Sequence, residues 1–226
     1  MKKTILIIAS FIAGIIAFEA CNNNTENKTT GKDTAQTTIA NQNESNNTTT
    51  DKMSSDIMAA MNNSMMKMED LKQTGDFDYD FANMMIAHHE GAIAASQIEV
   101  SKGSNAQVKG WAQKIIDAQK NEIAQLQDFV KNYKTPEEKK ENVNAHNELH
   151  EINEKMQEDM KQMQMTGNMD KDFVTMMIMH HQAAVDMAKD ELSHGKNADL
   201  KKMAQKIIQD QIKEVNDFQG WLGSHK

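Results

Sequence analysis

The chain has 226 residues, of which 38% are hydrophobic and 26% charged, with 10 Gly and one Pro; this suits one or two domains with a real core and argues against a turn-rich β fold. The net charge of −8, with no basic stripe, makes nucleic acid a poor partner and favours cations. Aromatics make up 5% while Met numbers 19, and Met is both a flexible core filler and a soft thioether ligand suited to Cu(I).

The first segment, "MKKTILIIASFIAGIIAFEAC", reads as an export signal, with Lys2 and Lys3 as its basic start and residues 4–18 as its apolar stretch. The single cysteine, Cys21, has no partner for an intrachain disulfide and stands where the lipidated first residue of a bacterial lipoprotein stands. Phe18 and Glu19 depart from the usual small and aliphatic preferences, while Ala20 fits. Simple cleavage and a retained membrane helix are the alternatives, although the apolar run is short for a span of about 20 residues. All three export the chain. The expectation is a lipid anchor on a bacterial membrane, facing the periplasm or the cell surface. Residues 1–20 are then the signal, and residues 21–52 an Asn/Thr-rich tether that cannot bury enough apolar surface to order itself.

From residue 53 the chain repeats itself at a fixed offset of 92 positions, giving repeats over about 53–134 and 145–226. "DFANMMIAHHEGA" at 80–92 matches "DFVTMMIMHHQAA" at 172–184 without a gap. Each repeat reads as three helices: about 55–73, 79–101 and 105–132 in the first, 144–165, 171–193 and 197–222 in the second. Gly75 and Gly167 fall in the first turn of each repeat. Gly103 and Gly195, each followed two residues later by Asn, stop one helix and start the next. Thr135 and Pro136 restart helix after the first repeat. The second and third helices of each repeat form a hairpin. Two hairpins face to face make an all-α four-helix bundle with a pseudo-twofold axis, and the first helix of each repeat adds to its side or end.

The third helices carry apolar stripes that polar residues interrupt at matching places, Gln119 and Glu122 in one repeat, Gln211 and Glu214 in the other. A carboxylate facing a core is costly unless it is paired, neutralised or bound to metal; a snorkelling Glu or a register-fixing Gln is the plain alternative. On the second helices, His88 and His89 sit about 100° apart on the inward half beside Met85, and His180 and His181 do the same beside Met177. Measured from the hairpin turn, the His pair and the Gln/Glu pair both lie roughly 22–28 Å away, so they face one another across each hairpin near mid-bundle. A Met stripe at helical spacing runs along the first helices, Met58, Met61, Met65 and Met68 in one and Met156, Met160 and Met163 in the other, as core or as added thioether. His146 and His150 are one turn apart without a counterpart in the first repeat; His194 and His225 are taken as surface residues.

Imidazole with thioether suits Cu(I) or Ag(I), and imidazole with carboxylate also suits Cu(II) or Zn(II). A di-iron site would need two Glu-x-x-His motifs, and only residues 191–194 supply one. With no phosphate loop, no Cys-x-x-Cys and no nucleophile–base pair, no enzyme is expected.

"DFDYDFANMMIAHHEGAIAAS" and "NMDKDFVTMMIMHHQAAVDMA", each followed by a helix bearing Q-x-x-E-[IV], resemble the domain-of-unknown-function 305 family (DUF305) over about residues 52–226. The resemblance implies an exported, ferritin-like helical bundle, similar to periplasmic copper-binding and copper-resistance proteins that use Met and His. Carried over by motif, the metal candidates are Met84, Met85, His88 and His89 with Met176, Met177, His180 and His181. Gln119, Glu122, Gln211, Glu214, His146 and His150 are supporting or occasional ligands, and Cys21 is the lipidation site. The first repeat has Ala95-Ser96 where the second has Met187-Ala188, so its site is poorer in sulfur. The expected role is copper sequestration, resistance or transfer, with copper as the bound ion and another copper-handling protein as a partner. Histidine binding is expected to weaken below about pH 6, where protonation competes. The alternatives are a metal-free tethered interaction module and a ferritin-like metal-dependent oxidase.

Overall fold

The structure, a computed structural model, describes residues 40–134 and 143–225. Those residues form six helices and no strand: α1 Ala40–Glu69, α2 Phe77–Lys102, α3 Ala106–Asn132, α4 Val143–Gln162, α5 Met169–His194 and α6 Ala198–Ser224. Cys21 and the Thr135–Pro136 restart lie outside the described residues. The duplicated all-α bundle expected from the sequence is present. Two boundaries need correcting. Residues 40–52, assigned above to the tether, are the first turns of α1, because a helix already nucleated by packed residues extends at little further cost. The first helices of both repeats also stop three or four residues earlier, at Glu69 and Gln162.

Local chemistry explains the joints. Gly75 and Gly167 have φ of 84° and 74°, the left-handed region that favours glycine. Around each turn, the Asp of the Asp-Phe motif accepts from a threonine: Asp80 from Thr74 N at 3.0 Å and Asp172 from Thr166 N at 2.8 Å. Asn105 Oδ1 accepts from Gln107 N and Val108 N, and Asn197 Oδ1 accepts from Asp199 N and Leu200 N, which caps α3 and α6.

The helices stack in three layers, with α2 against α5 in the middle, each paired with its own hairpin partner, α3 or α6, and covered by α1 or α4. This explains why α2 and α5 have apolar residues all round while α3 and α6 are one-faced. The methionine stripes belong to the core: Met61, Met65, Met68, Met156 and Met160 are buried, with Met58 and Met163 packed against them.

The layers also tie the repeats together. Asp170, at the start of α5, accepts from Ser104 N at 3.0 Å and Asn105 N at 2.9 Å, in the α2–α3 turn. Asp78, at the start of α2, accepts from Lys196 N and Asn197 N at 2.9 and 2.8 Å, in the α5–α6 turn. Each hairpin turn is therefore held by the other repeat.

Gly91 sets the approach of α1 to α2. A Cβ there would meet Ser64 Cβ at 2.5 Å, and the Ser64 hydroxyl donates to Ala87 O at 2.6 Å. Gly91→Ala is expected to lower unfolding free energy by roughly 1–3 kcal/mol in denaturant titration, with Ser64→Gly restoring part of the loss. Full stability in Gly91→Ala alone would show that the helices separate without cost.

Candidate metal centre

The second-helix motif places its two histidines on α2 and α5, the helices of the middle layer, so all four imidazoles are at most 1% exposed. The members of each pair point to different neighbours. His88 and His180 meet across the pseudo-twofold, with ring centroids 3.6 Å apart and planes tilted by 30°. His180 Nε2 donates to His88 O at 3.0 Å. His89 and His181 turn instead toward the third helix of their own repeat. His89 Nε2 lies 3.0 Å from Glu122 Oε2, and His181 Nε2 lies 2.7 Å from Glu214 Oε2. The level matching inferred from the hairpin thus brings each Glu to one His, while the other His goes to the opposite repeat.

These contacts determine which ring atoms stay open. A carbonyl or carboxylate acceptor draws the proton to Nε2 and leaves Nδ1 with the lone pair. Both ring nitrogens of His88 and of His89, and Nδ1 of His180 and His181, are buried with no hydrogen-bond partner among the described residues; Glu122 lies within ion-pair distance of His89 Nε2 without hydrogen-bond geometry. Burial first, then the neighbouring imidazoles, holds the pKa of His88 and His180 well below the ordinary 6.5. Both rings are therefore neutral at pH 7. A buried nitrogen acceptor without a donor is costly, and a cation satisfies it. A carboxylate on the far ring nitrogen also orients a histidine toward metal and raises its basicity. Met84, Met85, Met176 and Met177 lie on the preceding turn of the same helices, all at most 3% exposed. Imidazole and thioether are the donor types that suit a soft ion. Among the described residues, His, Cys, Asp and Glu alone gather no group of three or more able to hold a metal.

The other candidates divide. Gln119 and Gln211 are each 3% exposed, with side-chain polar atoms that find no partner among the described residues. His150 stays apart from the four histidines, in a cleft of about 200 Å³ that also exposes an edge of Met84. The side chain of His146 lies outside the described residues. His225 is exposed, as expected, whereas the surface assignment of His194 needs correcting. His194 is 30% exposed and pairs with Glu148 at 2.9 Å, because α4 packs over the end of α5. His225 stacks on Trp221 with centroids 4.3 Å apart and bonds Trp221 O through Nδ1 at 2.8 Å.

Glu99 went unread in the sequence, and Glu191 was read only as the start of the one Glu-x-x-His motif. Both are fully buried, and their carboxyl groups occupy the space where a Cβ on Gly103 or Gly195 would stand. Burial, then Asp170, pushes Glu99 up to about 8; burial, then Asp78, pushes Glu191 up to about 9. Their signal was the shared E-x-x-x-G spacing, but only the fold brings an aspartate of the other repeat beside each.

A family described as "Domain of unknown function (DUF305)" matches residues 21–130 and 78–222, two overlapping stretches. Comparison with curated proteins finds no match. Among solved structures, "Crystal structure of DUF305 fragment from Deinococcus radiodurans" is similar at 18% identity and a TM-score of 0.49, covering 66% of this chain and 96% of that one.

Proposed function

The chain belongs to the DUF305 family, and from its four buried histidines we propose that it is an exported metal-binding protein that takes up Cu(I), with Ag(I) or Cu(II) as lesser ligands. The observation that carries this reading is the set of buried imidazole nitrogens without hydrogen-bond partners among the described residues, one helical turn from buried thioethers. Soft, monovalent copper prefers such donors to carboxylate or water. His88, His89, His180 and His181 are the primary ligands, and Met84, Met85, Met176 and Met177 supply sulfur. Glu122 and Glu214 fix ring orientation from the far nitrogen. The lowered pKa of His88 and His180 moves proton competition to more acidic conditions than for an ordinary imidazole, below the value near 6 expected from the sequence alone.

In this reading Cys21 carries the lipid anchor, the domain faces the periplasm or cell surface, and another copper-handling protein delivers or receives the ion. No described helix is long and apolar enough to cross a membrane. The role is binding rather than catalysis, as sequestration, resistance or transfer. One observation favours a second reading, a metal-free interaction module: the bonds from His180 to His88 O and from His181 to Glu214 form a polar network of their own.

The test is Cu(I) affinity by competition with a chromogenic chelator. The parent is expected to bind tightly, and the fourfold variant His88→Ala, His89→Ala, His180→Ala, His181→Ala to lose at least about a hundredfold in affinity. Equal, weak binding by both would remove copper from the account.

A further inference from the structure

A pocket of about 640 Å³ opens between α3 and α6, and its lining includes Glu122, Phe129, Met203 and Lys206. Glu122 therefore touches two places at once. It lines the pocket, and its Oε2 lies 3.0 Å from Nε2 of His89, which is itself fully buried. Its other oxygen, Oε1, is 3.7 Å from Lys206 Nζ, and Lys206 is held in turn by Asp210 one turn along α6. Asp128 and Asp199 add two more carboxylates to the lining.

The duplication offers an internal comparison. Met203 corresponds to Trp111 at the offset of 92, and Leu126 and Phe129 correspond to Phe218 and Trp221. The Trp111 indole stands edge-on to Phe218 at 5.2 Å and to Trp221 at 6.4 Å, and Phe218 lies 5.4 Å from the His181 ring. Trp111 therefore stands where the pocket-lining Met203 stands in the other half, while Glu214 beside His181 is 30% exposed and Glu122 beside His89 is 9% exposed.

We propose that the α3–α6 pocket is the route from solvent to the buried histidines and that Glu122 hands the cation to His89. This rests on the copper reading for the identity of the cargo. A hard carboxylate holds a soft ion weakly, which suits passage rather than storage. Lys206 opposes a cation at Glu122 and yields by turning fully to Asp210.

Met203→Trp gives the pocket the ring its counterpart already has. Cu(I) loading followed by stopped flow is expected to slow at least about tenfold, with equilibrium affinity and stoichiometry kept. Lys206→Met is expected to speed it. A metal-free measurement stands beside this: carbethoxylation of each histidine, read by peptide mass spectrometry, should slow at His89 in Met203→Trp while the rate at His181 stays as in the parent. Unchanged loading and unchanged labelling in a folded Met203→Trp variant overturn the route. A parent that binds no Cu(I), yet whose His89 labelling depends on Met203, overturns the copper reading and leaves the route standing.

Discussion

The paired change Glu99→Gln, Glu191→Gln is expected to remove most of the alkaline loss of stability of this protein. In the fold these carboxyls stay protonated up to about 8 and about 9, whereas in the unfolded chain they ionise near 4.5. Between those limits the folded state holds more protons, so stability falls as pH rises. Each carboxyl contributes a slope of about 1.4 kcal/mol per pH unit at most, an upper bound that relaxation of the site will reduce. The histidines act on the other side. His88 and His180 stay neutral in the fold while the unfolded rings take a proton below about 6.5, so stability falls as pH drops through that value. The parent should therefore be most stable near pH 6 and decline through pH 9. Glutamine is uncharged and can donate to Asp170 or Asp78 as a protonated carboxyl does, so the double variant should keep its melting temperature to pH 9, several degrees above the parent there. Thermal melts of both proteins across pH 5 to 9 decide this, and parallel curves would mean that Glu99 and Glu191 ionise inside the fold.

The second large effect separates a metal site from a structural polar network. His88→Leu, alone and combined with His180→Leu, replaces rings of which both nitrogens of His88 and Nδ1 of His180 lack hydrogen-bond partners among the described residues with apolar groups of similar size. Burying a polar atom without a partner costs roughly 1–3 kcal/mol, so the metal-free variants should gain stability on that order while losing Cu(I) affinity. The parent, destabilised in chelator, should recover when Cu(I) is added, because an ion that binds only the folded state stabilises it by mass action. If the leucine variants are instead less stable than the metal-free parent, the network reading gains, since the bond from His180 Nε2 to His88 O would then outweigh the unpartnered atoms.

Much of this molecule was legible along the chain. The 92-residue duplication, six helices, their asparagine caps and glycine turns, and the match in level between His89 and Glu122 and between His181 and Glu214 all follow from local rules. Helical rise and period relate residues within one hairpin, and a short turn fixes which helices are neighbours. The spacing could not decide which histidine of each pair would face the other repeat, because both lie on the inward half of the helix. Packing decided it: α2 against α5 stacks His88 on His180 and leaves His89 and His181 to α3 and α6. The same layer contact buries α2 and α5 on opposite sides at once, brings Asp170 to Glu99 and Asp78 to Glu191, and makes proton-holding carboxyls of residues that read as ordinary helix glutamates. The sequence by itself determined the repeat, the helices and the donor types, since these depend on neighbours along the chain. Only the tertiary structure decided which donors meet, which nitrogens stay open and which half has a pocket, because desolvation and contact depend on side chains brought in from the other repeat.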